Sequence, residues 1–312
     1  MMESRPSINR IVGKVSEEKR EEVAAHVREL FEKQDFDSLQ QYEREKTEEE
    51  LQIIDLVNER TNKFLEKYGI PPYIVPARNI RTLVNCTYEK VGGYVATRQL
   101  IFILKTFSKV EFAAILFHEM IHFKSYNALQ INPAKDSNVD YEYRISDYRV
   151  GLATHSRDGN KLFLNNMNEA VTAELERRYI RELTQHPLFK EDLETSDALI
   201  REHAENDDHD VYYVETYETG DPDYPWRSEA AKLGYLEQRK ILDALIKKIL
   251  SKNEDTFTDY EEVFDIFVRA MFRGNLVPLA RLIDTTFGEG VFRTIAELDE
   301  DIEKQKEFVD SL

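Results

Sequence analysis

The residues best placed to do chemistry are His118-Glu119-Met120-Ile121-His122. Two histidines four positions apart stand on one face of a helix, one turn above the other. Both imidazoles then reach a single metal ion, and the glutamate after the first histidine lies beside a water on that metal. This is the logic of a zinc motif with Glu119 as general base. Five letters are not a site by themselves. The chain must also supply a helix, a third ligand and a pocket.

The helix has a marked start. Ser108-x-x-Glu111 reads as a capping box, with Phe107 and Phe112 placed to form a hydrophobic staple. Ala113, Ala114, Leu116, Phe117, Met120 and Ile121 make it apolar on most sides, so it should be buried. Buried polar groups are costly without partners, which makes two histidines and a glutamate there significant. Lys124, two positions after His122, interrupts the apolar run.

Short β-rich runs precede this helix at 73–75, 80–84, 94–97 and 99–104, with Gly92-Gly93 as a turn signal. They predict a small sheet packed against it. After it, 126–140 reads as a polar loop and 144–154 as a strand. Asp158-Gly159 centres a hairpin turn, with a return strand at 161–164. Asn165 or Asn166 can then cap a new helix that opens Asn168-Glu169-Ala170.

The histidine motif followed by a second helix bearing Asn-Glu-Ala resembles the gluzincin clan of zinc metallopeptidases, the thermolysin-like proteins. The stretch 149–152 with the following Asn-Glu-Ala-x-Thr is also similar to uncharacterised bacterial members. The resemblance covers about a third of the chain. It implies one zinc ion on His118, His122 and Glu169, with Glu119 as general base. It also implies a zincin-like core, a small twisted sheet with the motif helix and the glutamate helix. Three protein ligands leave a fourth position open to water, the catalytic arrangement. Zinc lowers the pKa of that water towards about 7, and Glu119 takes the proton during attack on a peptide carbonyl. The clan places a carboxylate four residues after its glutamate ligand to orient a histidine. Here that position is Ala173, and either Glu174 or Glu176 can take the role. The clan's oxyanion donor is a downstream Tyr or His. Candidates are Tyr212, Tyr213, Tyr235, His203 and His209, with Tyr235 the first choice.

The flanks are mainly helical. Val23, Val27, Leu30 and Phe31 keep helical spacing, and Thr47-x-x-Glu50 caps a second helix with Leu51, Ile54, Val57, Phe64 and Leu65 on its apolar face. Residues 186–226 turn acidic, with 13 acids against 2 bases from Lys190 to Asp223. That stretch reads as a solvated insertion or as a lid favouring cationic substrates. Leu242, Leu245, Ile246 and Ile249 form one helical stripe. A helix capped at Thr258 carries Tyr260, Val263, Phe264, Phe267, Val268, Met271 and Phe272, and helices at 276–287 and 291–308 follow. The expected organisation is α+β and mostly helical: a helical region at 1–70, the metal-binding core at 71–185, the acidic insertion at 186–226 and a helical subdomain at 227–312.

Composition bounds the partners. A net charge of −18 over 312 residues disfavours nucleic acid and anionic membrane, and the resemblance implies a peptide or protein substrate. One cysteine, Cys86, permits no internal disulfide. No signal-peptide run opens the chain and no stretch matches a membrane span, so a cytoplasmic location is expected. A rival reading is a zinc-bound, catalytically silent interaction protein on the same fold. The intact Glu119 argues against it, because structural zinc needs no general base. A metal-free helical adaptor is a third reading.

Overall fold

The structure is a computed structural model that describes residues 3–33, 37–84, 91–104, 106, 108–133, 143–183, 185–193, 211–218 and 226–312; for 37, 38, 211–218 and 226–231 it describes backbone alone. Its elements in chain order are β1 (Ile8–Val12), α1 (Glu17–Lys33), α2 (Asp37–Gln40), β2 (Glu43–Arg44), α3 (Glu48–Lys67), β3 (Ile80–Leu83), β4 (Gly92–Val95), β5 (Leu100–Leu104) and α4 (Lys109–Lys124). Then come β6 (Asn127–Pro133), β7 (Tyr143–Val150), β8 (Ala153–His155), β9 (Leu162–Phe163), α5 (Asn165–Leu183), β10 (Val211–Glu218) and β11 (Trp226–Lys232). The C-terminal helices are α6 (Leu236–Lys252), α7 (Tyr260–Arg273), α8 (Val277–Phe287), α9 (Val291–Glu297) and α10 (Ile302–Ser311). The fold is α+β, as expected.

Besides the β10–β11 pair, the described strands form two sheets. One has strand order β2-β3-β5-β4, with β3 and β5 parallel and β4 antiparallel on the outside. The other runs β1-β6-β7-β8-β9. Helix α4 packs against β4 and β5 and is gripped by α3 and α5. Every residue of α4 from Phe112 to Lys124 is buried, which its all-round apolar sequence requires. The core is continuous from Phe31 through α4 and α5 to Val309 in α10, so the C-terminal helices share it with the metal-motif helix.

Both ends of α4 are closed by specific acceptors and donors. Ser108 Oγ accepts from Glu111 N–H at 3.0 Å, and Asp192 accepts from Lys109 N–H at 2.8 Å. Phe107, the expected staple residue, lies outside the described residues. At the other end the Asn127 amide donates to the carbonyls of His122, Phe123 and Ser125 at 3.0–3.1 Å. These are orphan carbonyls of the last turn, and Asn127 is fully buried to reach them.

Several expectations need correction. Residues 127–133 form β6, where a polar loop was expected, because Asn127 and Gln130 are buried polar residues with partners. Residues 8–12 form a strand, β1, in a region read as helical; it pairs in parallel with β6. Gly92 and Gly93 lie within β4 and not in a turn. A Cβ on Gly92 would come within 2.5 Å of Ile115, so this strand needs glycine to pass close to α4. Residues 73–75 make only an isolated bridge, Ser4 to Ile74. The run 144–154 breaks at Gly151, whose φ of +60° turns the chain between β7 and β8.

Helix details shift too. Thr47 forms its capping box, but Leu51 is 42 % exposed, and the buried face of α3 is Ile53, Ile54, Val57, Thr61 and Leu65. Helix α7 is capped by Asp259, one residue beyond Thr258, since its carboxylate accepts from Glu262 N–H. The stretch 291–308 is two helices, α9 and α10, separated at 298–301. Cys86 falls outside the described residues.

Replacing Asn127 with Ala leaves three carbonyls at the end of α4 without that donor. The expected loss, read from denaturant unfolding, is about 1–3 kcal/mol. Leu51→Ala, on the exposed face of α3, is expected to stay within about 0.5 kcal/mol of the parent.

Candidate metal centre

Helices α4 and α5 bring three electron-rich atoms to one point. His118 Nε2 lies 3.1 Å from His122 Nε2 and 3.2 Å from a Glu169 carboxylate oxygen, and His122 Nε2 lies 3.4 Å from the same oxygen. His118 and His122 are buried, and Glu169 is nearly so. This trio can hold a metal ion. Its donor set of two imidazoles and a carboxylate suits a divalent transition metal, because all three offer lone pairs and none brings a compensating cation.

The opposite edge of each histidine is also held. His118 Nδ1 lies 2.9 Å from Glu176 Oε2. A carboxylate only accepts, so Nδ1 carries the proton and Nε2 is left for the metal. This resolves the alternatives at the second carboxylate. Glu176 is seven residues beyond Glu169, two turns along the same face of α5. Glu174 points elsewhere, to Arg177 at 2.7 Å and Arg178 at 2.9 Å. Ala173, where the resemblance would place a carboxylate, is fully buried in the core. Beside His122, the Asn168 amide sits 3.4 Å from Nδ1 while its oxygen accepts from Leu152 N–H at 2.9 Å. A Cβ on Gly151 would lie 2.4 Å from that oxygen, so the β7–β8 turn and the Asn168 side chain require each other.

The electrostatics favour a positive charge at this point. Burial by itself would lower the pKa of His118. The hydrogen bonds to Glu169 and Glu176, with the charges of Glu176 and Glu119, outweigh burial and hold it well above the ordinary imidazole value. Burial likewise opposes ionisation of Glu169, and the two imidazoles reverse this and hold its carboxyl well below the usual range. Glu119 faces the other way. Burial raises its pKa, the imidazoles pull it back, and the charges of Glu169 and Glu176 add to the rise.

Tyr235 completes the rim. It stands immediately before α6 with φ +60°, a strained conformation for an aromatic residue. Its ring stacks on His118 at 5.6 Å and 14°, and its phenol interacts with the Glu169 carboxylate. Although Tyr235 is 40 % exposed, desolvation on its site-facing side, then the charges of Glu169 and Glu119, raise the phenol above its ordinary range, so it stays protonated and able to donate. Of the other donor candidates, Tyr212 and Tyr213 lie on β10, described by backbone alone, and His203 and His209 fall outside the described residues. Residues 194–210 and 219–225 of the acidic segment also lie outside them. Lys124, the polar intruder in the motif helix, is buried away from the metal trio and bonds Asn58 O and Asn62 Oδ1 at 3.2 and 2.8 Å.

Sequence reasoning read Gly92 only as part of a turn and gave Asn168 and Gly151 no role of their own. Asn168 was visible inside its motif. Nothing local to the two glycines marked the close approaches they permit, because those come from the distant side chains of Ile115 and Asn168.

No protein-family model matches the chain, no curated protein matches it, and no solved structure matches it.

Two outcomes are expected from metal titrations by chelator competition. Glu176→Gln lowers affinity about 10- to 100-fold, whereas Glu174→Gln leaves it near the parent value. A proton and the metal compete for His118, whose metal-free pKa is raised. Affinity should therefore climb about tenfold per pH unit and keep climbing above the ordinary imidazole range.

Proposed function

We infer that this chain is a zinc-dependent metallopeptidase of gluzincin type, with zinc on His118, His122 and Glu169 and with Glu119 as general base. The observation that carries the reading is the donor triangle of 3.1, 3.2 and 3.4 Å beside a buried glutamate on the same helix. Tetrahedral zinc with bonds of about 2.0–2.1 Å has donor–donor edges of about 3.3–3.4 Å. The three atoms thus approximate one face of a zinc tetrahedron, leaving the fourth corner open.

A bound zinc supplies a Lewis acid and lowers the pKa of water towards about 7. Glu119 then acts as the base. Its burial makes the carboxylate a stronger proton acceptor than an exposed one, which suits taking a proton from water and returning it to the leaving amine. Tyr235, protonated and beside Glu169, is the donor to the oxygen that gains charge as the carbonyl is attacked. Among the described strands β4 is the outer strand of its sheet, and it passes α4 where a Cβ on Gly92 would lie 3.6 Å from Glu119. An extended peptide pairing with that edge would lie across the general base. Peptide or protein substrates fit this edge and the net charge of −18, which disfavours nucleic acid. No helix among the described residues is long and apolar enough to cross a membrane.

The test is hydrolysis of a mixed peptide library by zinc-loaded protein. Glu119→Gln should keep zinc and lose about 10²- to 10⁴-fold in rate. Tyr235→Phe should keep zinc and lose about 10²- to 10³-fold in kcat. Stoichiometric zinc with no cleavage by the parent protein would instead support the catalytically silent reading.

A further inference from the structure

Helix α5 carries Glu169, the Glu176 that orients His118, and Asn168 beside His122, so the placement of this one helix sets three sides of the metal centre. Its N-terminus is not capped locally. The preceding residue, Leu164, has φ +60° and no side-chain acceptor. Asn165 and Asn166, the caps expected from sequence, are themselves the first helical residues and act as donors. The acceptor comes from more than 130 residues away. Asp299, in the turn between α9 and α10, takes Asn165 N–H at 2.7 Å on one carboxylate oxygen and Asn166 N–H at 2.8 Å on the other.

The connection runs both ways. Asn166 Nδ2 donates to the Asp299 carbonyl at 2.9 Å and to Gln305 Oε1 at 3.0 Å, and Gln305 Nε2 donates to Ile295 O at 2.9 Å. Gln305 is fully buried. The C-terminal turn and the first turn of α5 are thus tied by four hydrogen bonds, three to Asp299 and one to Gln305, and Gln305 is in turn held by Ile295. Two charge-assisted bonds at a helix N-terminus fix that helix along its axis and add charge complementary to its dipole. Glu169 lies one turn further on.

The geometry points to Asp299 as a positioning residue of the metal centre, acting through the N-terminus of α5 on Glu169, Asn168 and Glu176. The inference rests on the zinc reading above. It makes the C-terminal turn part of the site and gives the break between α9 and α10 a purpose: residues 298–301 leave the helix so that a carboxylate can reach α5.

The test is the zinc dissociation constant of the folded protein, measured by competition with a chromophoric chelator, beside the thermal midpoint of the metal-free form. Asp299→Ala should weaken zinc binding about 10- to 100-fold. Asp301→Ala is the control. Asp301 caps α10 in the same turn, accepting from Lys304 N–H at 3.1 Å, and among the described residues it makes no hydrogen bond to α5. It should lower the midpoint and leave zinc affinity unchanged. Asp299→Asn, which keeps one acceptor oxygen, should fall between the parent and Asp299→Ala, and it carries the test if the alanine variant does not fold. Parent-like zinc affinity in the Asp299 variants, or equal weakening by Asp301→Ala, overturns the positioning role alone. A parent protein that binds no zinc overturns the zinc reading and this inference together.

Discussion

Three electron-rich atoms within 3.4 Å of one another, buried in an apolar interior, are tolerable only with positive charge among them. Much of the molecule follows from holding that arrangement. The two imidazoles come from one helix, and spacing within α4 alone sets their separation. The carboxylate comes from another helix, so its position depends on how α4 and α5 cross and on where α5 begins. The protein fixes both helices at their ends: Ser108 and Asp192 at the start of α4, Asn127 at its close, and Asp299 at the start of α5. The apolar flanks of α4 bury the site, and burial is what pushes up the affinity of Glu119 for a proton.

The parts of this that rest on local pattern were legible in the sequence. The histidine spacing, the Ser108 cap, the apolar circumference of α4 and the Asn168-Glu169-Ala170 run each involve residues within a turn or two of one another. The aromatic stripe of α7 and the aliphatic stripe of α6 were legible for the same reason, and their residues are buried with the exception of half-buried Tyr260. Tyr235 was legible only as a member of a shortlist. Its stacking on His118 depends on a positive-φ backbone that the sequence does not announce.

What was not legible depends on partners far along the chain. Strand β6 looks like a loop because its Asn127 and Gln130 are polar, and only the fold shows the carbonyls they meet. The Glu174–Glu176 choice turns on which face of α5 meets His118. Arg177 and Arg178 claim Glu174, with Arg178 reaching Glu261 on α7 as well. The cap of α5 was sought in Asn165 or Asn166, where capping usually lies. It sits at Asp299, in a stretch that helical periodicity alone would make continuous. Glycines show the same limit: Gly92 and Gly151 are required by Ile115 and Asn168, neither of which is near in sequence.

The central claim is that His118, His122 and Glu169 hold one zinc ion with a position left open. X-ray absorption at the zinc edge of stoichiometrically loaded protein tests it most directly. The account requires a low-coordinate shell of nitrogen and oxygen at about 2.0–2.1 Å, with the outer-ring scattering of two imidazoles and no sulfur at about 2.3 Å. A shell of oxygen alone without imidazole scattering, or a spectrum unchanged by His118→Ala, would contradict it.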